Sequence, residues 1–137
     1  MVLSTAEVMY WSTMFASILS ASAGVLDARS KQFDLFGIMI IAFCAALGGG
    51  TLRDTLLDRT VFWVADSSYL IFTWFGALAT FFLARWIKLS GRWFVLPDAA
   101  ALGLYTVAGT QAALGVGADM LVASFMGVIT GVAGGIL

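Results

Sequence analysis

Five long stretches of this chain carry no charged residue: Val8 to Leu26, Leu35 to Leu52, Ser67 to Ala84, Ala99 to Ala118 and Met120 to Leu137. Each is about as long as a helix that crosses a bilayer. Only 11% of the 137 residues are charged and 61% are hydrophobic, against roughly a quarter charged in an ordinary soluble domain. Five buried helices of a soluble fold would leave almost nothing polar to cover the surface. The pattern therefore predicts an all-α membrane protein with five spans. The first stretch lacks a basic leader, since Glu7 is the only charge before Asp27, and reads as a retained helix rather than a cleaved signal.

Several chemistries are excluded. Cys44 is the only cysteine and there is no histidine, so neither a disulfide within the chain nor a Ser-His-Asp or Cys-His constellation can be assembled. Nothing suggests an enzyme, a cofactor or a tightly bound metal. The net charge of -1 gives no hint of a nucleic-acid partner. Membrane lipids are the expected surroundings.

Lys and Arg in short connections tend to stay on the cytoplasmic side. Arg29, Lys31, Arg85, Lys88 and Arg92 fall on one side, and Arg53 and Arg59 on the other. The bias places the N terminus outside. The second span then begins after Asp34 and runs outward, and the fifth begins after Asp119 and runs inward. A carboxylate favours the positive end of a helix, so both aspartates read as helix caps.

The offset that carries Gly24 onto Gly109 also carries Ala28 onto Ala113, Asp34 onto Asp119, Gly49 onto Gly134, Gly50 onto Gly135 and Leu52 onto Leu137. Three spans precede the second copy, and an odd number reverses its direction. The expected architecture is an inverted repeat of three-helix units, with residues 1–90 as the first and residues 91–137 as an incomplete second. Such repeats recur in transporters, where interrupted helices meet near the midplane. A third span of the second unit is expected beyond Leu137.

Gly48, Gly49 and Gly50 lie late in the second span, ahead of Thr51, Leu52, Arg53 and Asp54. Each glycine weakens a helix by about 1 kcal/mol relative to alanine, which argues for a break or kink lining a cavity. Close packing of small residues is the alternative. Arg53 and Asp54 follow within a turn and read either as a pore mouth or as an interfacial anchor with a snorkelling arginine. Thr13, Ser17, Ser20 and Gly24 share one face of the first span, and Thr106 and Thr110 share one face of the fourth. Hydroxyls at this spacing line a pathway or make ordinary helix contacts. Phe62, Trp63, Tyr69 and Trp74 read as interface anchors.

The segment from Ala42 to Leu70, AFCAALGGGTLRDTLLDRTVFWVADSSYL, strongly resembles bacterial members of the trimeric intracellular cation channel (TRIC) family. It is also similar to the related bacterial membrane domain known as a glycine transporter. The resemblance extends over essentially the whole chain, with the GGGxxRD and VFWV segments its most specific parts. It implies seven membrane helices, of which five are present here, and a homotrimer with a potassium-permeable pathway in each subunit. Potassium or sodium would be permeant ions rather than cofactors. It further implies that the second and fifth helices kink at Gly48, Gly49 and Gly50 and at Gly134 and Gly135. Ala133 stands where the first copy has Gly48, so the second bend is weaker. A secondary transporter of a small amino acid such as glycine would share this fold. The bacterial resemblance implies a plasma-membrane location.

Overall fold

The computed structural model describes residues 2–89 and 91–136. Six α-helices and one 3-10 turn account for nearly all of them: α1 (Thr5–Arg29), α2 (Leu35–Leu56), α3 (Phe62–Ala65), α4 (Ser68–Ile87), the turn Gly91–Phe94, α5 (Val95–Gly115) and α6 (Met120–Ile136). Helices α1, α2 and α4 are long and apolar enough to cross a membrane, and α6 is a shorter apolar helix of 17 residues.

The helix starts follow from local chemistry. Ser4 caps α1 in a reciprocal box: its hydroxyl accepts the Glu7 N–H at 3.2 Å, and the Glu7 carboxylate accepts the Ser4 N–H at 2.9 Å. Asp34 caps α2 by accepting the Gly37 N–H at 2.8 Å. Asp119 accepts the Leu121 N–H at 3.3 Å at the start of α6. Pro97 sits in the first turn of α5, where no intrahelical donor is needed. The α5–α6 connection turns at Gly117, whose φ of 83° suits a residue without a side chain.

Packing arranges α1, α2, α6 and α5 as a ring in which each helix lies against the next and α5 returns to α1. The face that α1 turns inward is built from small residues, among them Ala16, Ser17, Ser20, Ala21, Ala23, Gly24 and Ala28. Without a hydrophobic driving force between helices in lipid, such faces are held by close contact and hydrogen bonds. Helix α4 packs outside the ring on α1. Its outward side exposes Ile71, Phe72, Trp74, Phe75, Phe82 and Leu83, as a lipid-facing surface requires.

Candidate functional site

Two cavities open into the ring from opposite ends of α1. One, of about 330 Å³, is lined by Ser20, Gly24, Asp27, Lys31, Ala45, Asp98, Gly134 and Gly135 among others. The other, of about 260 Å³, is lined by Tyr10, Thr13, Arg53, Arg59, Phe62, Tyr69, Ala108 and Ala112 among others. Thr13 and Ser20 belong to different cavities, and the helical rise separates them by about 10 Å along α1.

Between the cavities the ring is closed by buried hydroxyls. Ser17 Oγ lies 2.8 Å from Tyr105 Oη and 2.9 Å from the Thr13 carbonyl. The Tyr105 hydroxyl also donates to the Ala46 carbonyl. Two hydroxyl hydrogens thus face three short contacts, so the three cannot all be full hydrogen bonds at once. One turn further, Ser20 Oγ donates to the Ala45 carbonyl at 2.8 Å. The Thr13 carbonyl, Ser17, Tyr105 and Ser20 make an uncharged polar seam between the two cavities.

The glycine motifs are placed differently from a break. Helix α2 keeps its helical backbone through Gly48, Gly49 and Gly50, and what these residues provide is close approach. A methyl group on Gly49 would overlap the Thr130 carbonyl of α6, and one on Gly134 would overlap the Ala45 carbonyl of α2. The contact is reciprocal: the offset that carries Gly49 onto Gly134 also carries Ala45 onto Thr130. Gly50 lies beneath the Phe62 ring, and Gly135 has open space beside it on the wall of the Asp27 cavity. Gly48, half-buried, edges an outward apolar groove with Phe43, Cys44, Leu47 and Trp63.

Arg53 and Asp54, expected at a pore mouth, are 4% and 1% exposed. Arg53 Nε donates to Asp54 Oδ1 at 2.8 Å, and Asp54 Oδ2 accepts the Phe62 N–H at 2.8 Å. Asp54 is therefore a buried brace between α2 and α3. Only Arg53 of the pair lines a cavity. The guanidinium carbon sits 5.6 Å from the Phe62 ring centre, within cation–π range.

Thr106 and Thr110 turn toward α6 rather than into the seam. Their hydroxyls bond to the Leu102 and Thr106 carbonyls at 2.7 and 2.9 Å and occupy the space left by Gly131 and Gly127. Tyr105, one residue earlier, is the α5 residue that reaches the seam. Sequence reasoning missed it because a lone tyrosine in an apolar span looks like any other aromatic. Its spacing from Ala108 and Ala112, which share its face, was the available signal. Phe62 and Tyr69 pack edge to face at 4.9 Å, and the Trp63 indole donates to Thr51 Oγ1 at 2.9 Å, so these aromatics brace the α2–α4 connection.

A family model described as glycine transporter matches residues 10–85 and 95–137. The chain belongs to this glycine transporter family. Among curated relatives, a UPF0126 membrane protein of Vibrio cholerae is 39% identical over 134 residues, covering 96% of this chain and 56% of its own length. The UPF0126 inner membrane protein YadS of Escherichia coli is 37% identical over 131 residues, covering 93% of this chain and 63% of its own. The chain thus spans less than two thirds of the length of these relatives. In structure it is similar to the TRIC trimeric intracellular cation channel orthologue of Rhodobacter sphaeroides, with a TM-score of 0.87 and 35% identity over 94% of this chain and 67% of that one. A prokaryotic TRIC channel crystallised in 0.5 M KCl matches with a TM-score of 0.85 and 20% identity over the same shares, which shows the common fold. The family member described here is thus an all-helical membrane protein with a TRIC-like fold.

Proposed function

We propose that this chain forms a passive pathway for monovalent cations such as potassium and sodium, one in each subunit of a homotrimer. The observation that carries the reading is the uncharged seam of hydroxyls and carbonyls joining two cavities at opposite ends of the helix ring. Such groups replace part of a cation's hydration shell without holding it as tightly as a buried carboxylate would. Similarity to the Rhodobacter sphaeroides cation channel supports the same reading. The path runs by Thr13, Ser17 and Ser20 of α1 and the Tyr105 hydroxyl, past the Gly49–Gly134 crossing. The reciprocal contact there is what two inverted copies related by a twofold axis would make, and it supports the three-helix repeat, with residues 91–137 as an incomplete second copy. The Lys and Arg bias supports an N terminus outside a bacterial inner membrane.

One observation favours a second reading. Arg53 lines a cavity and offers a cationic group to a substrate carboxylate, as a transporter of glycine or a similar amino acid would need. The family's description, glycine transporter, points the same way. Reconstitution into liposomes separates the two. Current that follows a potassium gradient without saturating supports the channel, whereas saturable glycine counterflow without such current replaces it with the transporter. Neither activity would reduce the seam to a packing feature.

A further inference from the structure

We infer that the Arg53 cavity binds a small oxyanion, a carboxylate or phosphate, between the guanidinium groups of Arg53 and Arg59. The site does not rest on the permeation reading, since an anion held there would bind equally in a channel or a transporter. Arg53 is buried, and its Nε is committed to Asp54. Its terminal nitrogens form no hydrogen bond within the described residues, and the side chain borders the cavity. A guanidinium presents a fork of donors suited to two oxygens of one anion. Asp54 orients that fork, because both of its own oxygens are satisfied by Arg53 and the Phe62 N–H.

The rest of the wall fits the same ligand class. Arg59 brings a second positive charge to the opening, and Tyr10, Thr13 and Tyr69 place hydroxyl-bearing side chains around the space. Of the acidic residues next to it in chain or fold, Asp54 is already paired, and Glu7, Asp58 and Asp66 are not on the cavity wall. The Ser68 N–H at 2.9 Å holds the Asp66 carboxyl below the usual carboxylate range, and Asp66 lies beside Tyr10 rather than on the cavity wall. A volume of about 260 Å³ suits a ligand of a few heavy atoms and is too small to enclose a whole lipid or peptide.

The test uses the full protein in nanodiscs, with acetate, glycine and inorganic phosphate as separate probes and chloride at matched ionic strength as the baseline. Ligand-observed NMR reports contact with acetate or glycine, and a shift in the thermal unfolding midpoint reports all three. At least one probe is expected to bind. Arg59→Gln, at an exposed position, is expected to weaken it about tenfold while leaving the chloride midpoint unchanged. Arg53→Lys keeps a charge beside Asp54 but loses the fork, and is expected to weaken binding at least as much. Binding by acetate or glycine identifies a carboxylate site, and binding by phosphate alone an inorganic one. Failure of all three probes on folded wild-type protein, or affinity untouched by both substitutions, would overturn the proposal.

Discussion

Tyr105 ties three helices together within the seam, since its hydroxyl meets Ser17 of α1 and the Ala46 carbonyl of α2 from its place on α5. Tyr105→Phe keeps the ring and removes only the hydroxyl. The Ala46 carbonyl lies inside continuous α2 and Ser17 retains the Thr13 carbonyl, so the expected loss is about 1 kcal/mol. If those bonds hold the seam shut, potassium flux per assembled protein should rise about fivefold; an unchanged flux in liposomes would place the permeation route elsewhere. Asp54 tests a different kind of dependence. Asp54→Ala leaves the Arg53 guanidinium buried without its counter-charge and frees the Phe62 N–H, a loss of about 3–5 kcal/mol. Thermal unfolding in mild detergent should show it, together with poor recovery of folded protein.

At the scale of the helix, the glycine motifs divide into positions that pack and positions that do not. Gly49→Ala must push α6 away from α2, because the obstacle is a backbone carbonyl rather than a side-chain tip; the expected cost is about 1–3 kcal/mol. Gly135→Ala meets nothing and should stabilise α6 by about 1 kcal/mol or less through helix propensity alone. Paired unfolding measurements check the contrast, and equal effects would contradict the crossing geometry. The helix starts at Asp34 and Asp119 were legible in the sequence, because capping depends on neighbours within a turn; the Ser4 box, upstream of the uncharged stretch, was not. The stripe Thr13, Ser17 and Ser20 was legible because polar groups stand out on an apolar span. The facing of Thr106 and Thr110 was not. In a membrane helix the lipid side and the packed side are both apolar, so periodicity does not separate them, and only the contact with Gly127 and Gly131 decides. The role of the glycines was likewise open between break and packing until the position of α6 was known.

For the whole molecule, the helix ring explains how so few polar groups suffice. The seam is internal, while α4 and the outer sides of α5 and α6 present apolar residues such as Phe75, Trp86, Val107, Leu121 and Phe125. Close association of copies then depends on small residues and shape, without a hydrophobic drive in lipid. Mass measurement in mild detergent is expected to give a trimer, and only monomers and dimers would count against the proposed assembly.

The Gly49–Gly134 crossing has a consequence for heredity. Each glycine is the ceiling over the other's helix, so neither position can acquire a side chain without forcing apart the same two backbones. Selection therefore sees one character written twice, far apart in the gene. A substitution at either site is tolerated only with a wider ring, and once the ring has widened, the constraint on its counterpart disappears as well. Across divergent descendants the two positions should stay bare together or be released together.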